Sequence, residues 1–307
     1  MVQALASDSP PAARSSRLAL GLVLAALGAI AFSGKAIIVK LGYRYGVDAV
    51  TLIMFRMLFA LPIFVLMAWW AGRGKPRLDW VEWRVVVFLG VTGYYLSSFL
   101  DFLGLQYISA SLERLILYLN PTLVMLMGLV IYRRRVGPLQ LLGMLISYGG
   151  IVVVFGQELQ IQGQEVVLGS ALVFASALTY AVYLVCSGEF VQRIGSLRLV
   201  GLASTVACLC CIAQFLLLRP LSAADVPPEV IGLSLINALA CTVAPVLMVM
   251  MAIERIGAAL TAQVGMIGPL VTLTLGAWIL GERITAWVLL GTVLVVSGVY
   301  VVTRQRG

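Results

Sequence analysis

Six ionisable side chains lie inside apolar stretches that are long enough to cross a lipid bilayer: Lys35, Lys40, Arg56, Asp101, Glu113 and Arg114. Each charge costs roughly 2.5–3.5 kcal/mol at the centre of a bilayer on insertion scales, so we expect these groups to face protein or water. Four cations and two carboxylates leave a local positive excess, which would attract an anionic group such as a substrate carboxylate. Cross-links between helices, or snorkelling to the interface for Lys40, are the alternative roles.

Reactive chemistry is restricted because the chain contains no histidine. A Ser-His-Asp triad, a Cys-His pair and any metal site that contains histidine are therefore excluded. The five cysteines lie inside predicted helices, where we interpret them as small apolar packing residues: Cys186, Cys208, Cys210, Cys211 and Cys241. No glycine-rich phosphate loop follows a predicted strand. We predict no metal, no cofactor and no enzymatic activity.

Tyrosines and small polar residues recur at helical spacing on several predicted spans. Tyr94, Ser98 and Asp101 are spaced i, i+4 and i+7, which puts them on one face of a helix. A tyrosine hydroxyl at mid-membrane needs a partner, so these faces favour a central polar cavity, with hydrogen bonds between packed helices as the alternative. The residues predicted to line the cavity are Lys35, Tyr94, Ser98, Asp101, Tyr118, Asn120, Ser176, Tyr180, Tyr183, Asn237, Gln263 and Met266. Lys35 and Asp101 fall at similar depth, so Lys35 is expected near a substrate carboxylate or held by Asp101.

The elements that position these residues are predicted to be membrane-spanning helices. The chain is 62% hydrophobic and 11% charged over 307 residues, far from the soluble average. A bilayer core of about 30 Å needs roughly 20 apolar residues per helix. Ten stretches meet that need: 18–42, 48–71, 84–105, 108–131, 138–156, 166–187, 196–219, 228–253, 256–281 and 285–303. We predict an all-α integral membrane protein, with residues 1–16 as a disordered cytoplasmic leader and an uncut first helix.

The basic residues predict the orientation of the spans. The loops opposite the termini hold only Arg44, Arg219 and Arg283, whereas the other Lys and Arg residues outside the spans lie on the side of the termini. The positive-inside rule then places both termini in the cytoplasm. The net charge of +8 therefore reflects topology and attraction to anionic lipid, and no nucleic-acid partner is expected.

The chain repeats itself after a shift of 148 residues. This shift superimposes Pro121 on Pro269 without a gap and pairs Gly143 with Gly291 and Gly150 with Gly298. We predict two five-helix repeats, 17–156 and 157–307. Because five is odd, the second repeat enters the membrane from the opposite side, as in transporters that expose one midplane site to either face. The two prolines are hinge candidates, with static shaping of the bundle as the alternative.

Several segments resemble EamA domains. The line FSGKAIIVKLGYRYGVDAVTLIMFRMLFALPIFVL (32–66) is similar to the opening of such a domain, with Lys40 near the end of the first helix and Arg56 inside the second. Residues 107–155 and 255–302 resemble its closing half, and the second copy keeps a Gly-Glu-Arg turn at 281–283. The resemblance implies the drug/metabolite transporter superfamily and ten helices of EamA type.

Three positions depart from the EamA pattern. Phe32 replaces the usual Trp, Lys35 stands where a small polar residue is common, and the first-copy turn reads Arg133-Arg134-Arg135. Bacterial members of this superfamily mostly export amino acids and other metabolites. The resemblance therefore implies an exporter in a bacterial inner membrane.

Together, the residues and the resemblance favour secondary export of small carboxylate-bearing metabolites by alternating access. Amino acids, bulky or aromatic ones above all, are the expected substrates. A broad-range exporter of amphipathic drugs or metabolites is the alternative. An intramembrane enzyme would need a clustered reactive set, and a receptor or scaffold would not require six buried ionisable groups. The expected partners are the solute and the lipid bilayer, with a monomer as one option for the oligomeric state.

Overall fold

The computed structural model describes residues 11–132 and 137–304. Within these residues the chain forms helices joined by short turns, with no β-strand. The predicted all-α class is therefore confirmed.

Ten helical units follow one another within the described residues. The first five are α1 (Pro11–Arg44), α2 (Ala49–Gly72), α3 (Trp80–Gly104), α4 (Ala110–Leu117 continued by Asn120–Tyr132) and α5 (Pro138–Gln162). The second five are α6 (Glu165–Ile194), α7 (Ser196–Leu218), α8 (Pro228–Gly257), α9 (258–265 continued by 268–280) and α10 (Ala286–Arg304). We call the end of the bundle where α1 begins the terminal end, and the end where α1 finishes the distal end.

Nine helices of the described ranges are long and apolar enough to cross a membrane. The predicted fourth span, 108–131, does not reach that length as one helix because α4 is broken after Leu117 into pieces of 8 and 13 residues. Helix α1 begins at Pro11, inside the predicted leader, and residues 1–10 lie outside the described ranges. A proline suits the first helical position because its fixed φ is compatible with the helix and its missing N–H is not needed there.

Aspartates at two helix starts show why the chain turns where it does. Asp48 Oδ1 accepts hydrogen bonds from Val50 N at 2.9 Å and Thr51 N at 3.4 Å, which caps α2. Asp79 and Glu82 form a reciprocal capping box at the start of α3. Such caps satisfy N–H groups that have no partner inside the helix.

Irregular segments recur at equivalent places in the two halves. A π-helical stretch, Gly90–Leu96, interrupts α3, and another, Leu239–Val243, interrupts α8. Helices α4 and α9 both break before their second pieces, which start at Asn120 and Gly268. These starts are 148 residues apart, so the interruptions of the helices recur with the same shift as the sequence repeat.

The packing of the helices follows a two-fold arrangement. α1 packs on α8, and their counterparts α6 and α3 pack on each other; α2 packs on α7, α4 on α9 and α5 on α10. A methyl group added at Gly143 would lie 2.8 Å from the carbonyl oxygen of Gly298, and one at Gly150 would lie 2.7 Å from that of Gly291. Glycine is therefore required where α5 and α10 touch. Two inverted five-helix repeats form one bundle.

Candidate functional site

A cavity of about 420 Å³ lies between α1–α4 and α6–α9. Its walls run from Lys35 and Asp101, in the distal halves of their helices, to Ala25 and Ile253, in the terminal halves of theirs. The cavity therefore extends toward the terminal end of the bundle.

An ion-paired cluster lies at the distal side of this cavity. Lys35 Nζ is 2.5 Å from Asp101 Oδ2 and 3.2 Å from Glu113 Oε1. Glu113 is fully buried, whereas Lys35 and Asp101 also line the cavity. Asp101 Oδ1 and both Glu113 oxygens have no hydrogen bond among the described residues, and the contact from Lys35 to Glu113 is an ion pair only. One ammonium thus holds two carboxylates.

Two arginines line the cavity without a carboxylate partner. The described residues place no Asp or Glu oxygen within 4.0 Å of Arg56 or Arg114. Arg56 Nε donates to Thr242 Oγ1 at 2.8 Å, and its guanidinium lies 5.2 Å from the Phe102 ring centroid. Arg56 Nη1 and Arg114 Nε are buried with no hydrogen-bond partner in the described part of the chain. The cavity therefore retains unused donors.

Tyrosines and serines of α3 and α6 form another part of the wall. Tyr94 and Tyr183 hydroxyls are 3.1 Å apart, with the rings edge to face, and Tyr180 stacks on Tyr183 at 5.5 Å. Tyr94, Ser98, Ser176 and Tyr180 line the cavity, and Ser176 Oγ donates to the Ser97 carbonyl at 2.7 Å. The hydroxyls of Tyr94, Tyr183 and Ser176 therefore have partners, whereas Ser170 Oγ and Ser204 Oγ are buried without a hydrogen-bond partner among the described residues.

The breaks in α4 and α9 free backbone carbonyls that polar side chains use. Tyr118 Oη donates to the carbonyl of Gly265, the last residue before the break in α9. Asn120 Nδ2 donates to the Leu117 carbonyl at 2.8 Å, while its Oδ1 has no partner in the described ranges. Tyr118 and Asn120 both line the cavity. The breaks in α4 and α9 therefore lie beside the cavity.

The proline hinge candidates come directly after these breaks. Pro121 and Pro269 are each the second residue of a continuing half-helix. A proline in a first helical turn removes no internal hydrogen bond, so the prolines follow the breaks and do not interrupt a regular helix.

Four residues predicted for the cavity do not line it. Tyr183 lies behind Tyr94 and Tyr180 in a buried cluster, and Asn237 is 3% exposed near the π-helical stretch of α8. Gln263 is exposed, and Met266 packs against a separate apolar cluster at the break of α9.

Lys40 also lies outside the central cavity. It lines a pocket of about 340 Å³ at the distal end, where its Nζ donates to the Ile108 carbonyl at 2.6 Å. The predicted alternative of snorkelling and this backbone contact both keep the charge away from lipid.

At the distal end, a group of contacts holds the start of α4, and we call this group the distal latch (Ser109, Ser111, Glu158 and Glu282). Glu282 accepts hydrogen bonds from Ala110 N and Ser111 Oγ, both at 2.7 Å, and from Ser111 N at 3.3 Å. Glu158 accepts from the amide of Ser109 at 3.2 Å and from its hydroxyl. Two carboxylates therefore cap one helix start, where anions are stabilised.

Sequence reasoning missed Thr242 and Ser204, which line the cavity. The repeat could have indicated both, since a shift of 148 residues pairs Thr242 with Tyr94 and Ser204 with Arg56. The same shift pairs Asp101 with Val249 and Lys35 with Tyr183, so the charged positions of the first half are neutral in the second.

A known family matches this chain in both halves. The model of the EamA-like transporter family matches residues 19–156 and again residues 167–304. The chain belongs to the EamA-like transporter family. It is therefore a multi-pass membrane transporter, as the sequence resemblance implied.

Named relatives of this EamA-like transporter agree with that assignment. The uncharacterized transporter YcbK of Bacillus subtilis is 32% identical over 284 residues, which cover 87% of each chain. An uncharacterized transporter of Archaeoglobus fulgidus is 23% identical over 285 residues, covering 92% of this chain and 97% of its own. A crystal structure described only as that of a protein shares the fold, with a TM-score of 0.62 and 19% identity, and the match covers 95% of this chain and 97% of that one.

Proposed function

We propose that this EamA-like transporter exports small solutes that carry a carboxylate, above all amino acids with bulky or aromatic side chains, across a bacterial inner membrane. The charge of the cavity wall carries the proposal. Among the described lining residues, Lys35, Arg56 and Arg114 are cationic and Asp101 is the one carboxylate. A positive excess inside a cleft with low-dielectric walls attracts anions.

The remaining wall supports a solute that is partly apolar. Phe32, Tyr94, Tyr118 and Tyr180 bring aromatic rings to the cavity. A volume of about 420 Å³ lies in the range of small-molecule sites, which are largely apolar with a few placed polar groups. An aromatic amino acid matches both the rings and the charges.

The arrangement of the two ends supports export by alternating access. The terminal end has the greater share of basic residues. By the positive-inside rule, this end faces the cytoplasm. The cavity extends toward that end, and the distal latch closes the other. In this arrangement the solute would enter from the cytoplasm, and the breaks before Pro121 and Pro269 would serve as hinges.

Counterflow in liposomes tests the function. Purified full-length protein is reconstituted with unlabelled phenylalanine inside, and uptake of labelled phenylalanine is measured against labelled glucose, which has no carboxylate. We expect saturable phenylalanine uptake that unlabelled amino acids inhibit, and no glucose uptake above protein-free liposomes. Absence of saturable flux for every amino acid tested contradicts the proposal. An imposed pH gradient then separates proton coupling through Asp101 or Glu113 from facilitated flux.

A broad-range exporter of amphipathic compounds is the second candidate, favoured by the apolar part of the wall. Ala25, Ala29, Met57 and Phe64 line the cavity beside the rings. Under this alternative a lipophilic cationic dye is carried as fast as phenylalanine in the same liposomes. Under the amino-acid proposal the dye is carried slowly, because the cavity wall already carries excess positive charge.

A further inference from the structure

Of the three cationic side chains that line the cavity, Lys35 has carboxylate partners, whereas Arg56 and Arg114 have none among the described residues. Lys35 Nζ lies within 3.2 Å of two carboxylates, and Lys35 and both of its partners are at most 9% exposed. An ammonium between two buried carboxylates is electrically satisfied. A substrate carboxylate approaching Lys35 would meet the repulsion of Asp101 and Glu113.

The arginines are the cations with unused capacity. Arg56 is 5% exposed, its Nε is occupied by Thr242, and its Nη1 has no partner in the described ranges. Arg114 packs its guanidinium against Gly268, where an added methyl group would lie 2.7 Å from Nη2, and its buried Nε also lacks a partner. A guanidinium offers a planar fork that matches a carboxylate, and a buried charge without a partner is unfavourable.

The cavity also holds an unused acceptor. Asp101 is 2% exposed and lines the cavity; its Oδ2 binds Lys35, and its Oδ1 has no hydrogen-bond partner in the described part of the chain. A carboxylate oxygen with a free lone pair accepts a hydrogen bond from an ammonium.

From these three observations we propose that the site recognises a zwitterion through divided roles. Arg56 and Arg114 bind the carboxylate of the substrate, and Asp101 Oδ1 binds its ammonium. Lys35 is a positioning residue that fixes Asp101 and Glu113 and does not contact the solute. This assignment rests on the proposed function, since it concerns the same cavity and the same class of substrate.

Three probes separate the subsites: phenylalanine, 3-phenylpropionate, which lacks the ammonium, and phenethylamine, which lacks the carboxylate. Dissociation constants are measured on purified full-length protein. For Arg56→Gln and Arg114→Gln we expect a rise of about tenfold to about a hundredfold for phenylalanine and 3-phenylpropionate, and no selective loss of phenethylamine, because a hydrogen bond to a charged group contributes about 1.5–3 kcal/mol. For Asp101→Asn we expect weaker binding of phenylalanine and phenethylamine only.

The matched control is the pair Lys35→Met and Glu113→Gln, which removes one charge of each sign. We expect this double variant to weaken the binding of phenylalanine and phenethylamine more than that of 3-phenylpropionate, because only the two probes that carry an ammonium use Asp101. Lys35→Met alone leaves two buried carboxylates without their cation, so thermal unfolding at a lower temperature is expected. Arg114→Lys keeps the charge without the fork and should bind 3-phenylpropionate at an intermediate strength.

Each contrary result has a distinct meaning. Selective loss of the two acids in the Lys35/Glu113 double variant overturns the positioning role of Lys35. If Arg56→Gln and Arg114→Gln each weaken the binding of all three probes equally, the arginines do not form an anion subsite. If only one of these variants selectively weakens the binding of the two acids, the two arginines do not share that role. If the wild-type protein binds none of the three probes, the proposed function fails first.

Discussion

Helices α4 and α9 occupy equivalent places in the two repeats, yet the residues that hold the start of α4 have different counterparts in the other repeat. The start of α4 is capped by the distal latch, in which two carboxylates accept hydrogen bonds from Ser109, Ala110 and Ser111. The shift of 148 residues replaces the two latch serines by Gly257 and Ala259. It replaces the two latch carboxylates by arginines, Arg306 and Arg134, which lie outside the described residues.

The two repeats therefore share the backbone arrangement of these helices but not the residues at the positions of the latch. A helix start carries partial positive charge, so carboxylates stabilise it and arginines do not. We therefore expect the distal closure to be the stronger of the two in the resting protein.

Labelling from outside the cell tests which side of the membrane each end of the bundle faces, and its outcome should be all or none. A cysteine introduced within 158–164, on a background without the five native cysteines, should react fully with an impermeant reagent added outside the cell. A tag on either terminus should be reached only after the cells are opened. Labelling of an amino-terminal tag in intact cells would show the opposite orientation. The terminal end would then face the outside and the distal end the cytoplasm.

Removal of the latch should open the distal end. Glu282→Gln removes the charge and replaces one of the two acceptor oxygens by an NH₂ group, so either Ala110 N or the Ser111 donors lose their acceptor; this is expected to weaken the closed state by about 1 to 2 kcal/mol, or about five- to thirtyfold in population. The measurement is the rate at which a cysteine at Ser98, on the cavity wall, reacts with a reagent from the distal side.

Glu229 offers the matched control for this experiment. It lies in the first turn of α8 at the same end and makes no hydrogen bond or ion pair with the described residues. Glu229→Gln should leave the labelling rate unchanged. If both variants accelerate labelling equally, loss of charge at that end, and not loss of the latch, is the cause.

A latch of the same type can be built at the terminal end. Arg134→Glu together with Ala259→Ser gives the sequence counterparts of Glu282 and Ser111 the residue types of the distal latch. We expect distal labelling of the Ser98 cysteine to rise by roughly two- to fivefold, because a favourable charge at a helix start contributes about 0.5–1 kcal/mol. Arg134→Gln with the same Ala259→Ser change lacks the carboxylate and should show a smaller rise or none.

The smallest effect concerns pH at the start of α2. Burial alone would raise the pKa of Asp48, but hydrogen bonds from Thr51 and the charge of Arg219 outweigh it and hold the pKa of this carboxyl below its ordinary value. A lowered pKa in the folded state means that the stabilisation is complete above about pH 4, the ordinary aspartate range, and is lost as pH falls through the folded value.

Asp48→Asn keeps a good capping residue and removes the charge. It should flatten the fall in thermal stability below about pH 4, by about 0.5 kcal/mol or less because the carboxyl is partly exposed. The equivalent position in the second repeat is Ser196, at the start of α7, which has no charge to lose. Identical pH profiles for wild type and Asp48→Asn would show that this cap does not contribute to acid sensitivity.

The sequence predicted the class of fold and the repeat well, because apolar length and glycine spacing are local signals. It also placed Lys35 and Asp101 at similar depth, and the structure has them in contact. Depth along a helix follows from residue counting, which explains why this part of the site was accessible to sequence reasoning.

Rotation about the helix axis was harder to predict. Tyr180 and Tyr183 share a helical stripe, but Tyr180 lines the cavity while Tyr183 faces Tyr94 behind it. The π-helical stretch in α8 changes the register of the faces, and Thr242 reaches the cavity from within it. Pro121 indicated a weak point within residues 108–131, but no pattern there indicated that the first piece of α4 ends at Leu117 or that Tyr118 bonds to Gly265 of α9. The roles of these residues in binding stay predictions.

The crossed glycine contacts between α5 and α10 also bear on how the gene could have arisen. Gly143 meets Gly298 and Gly150 meets Gly291, so each glycine faces the counterpart of the other. In an ancestral five-helix subunit that paired with an identical, inverted copy, one mutation would have produced two clashes at once. After fusion the same mutation produces one clash. After fusion, each substitution therefore causes half as many steric clashes, and the two repeats can diverge in sequence.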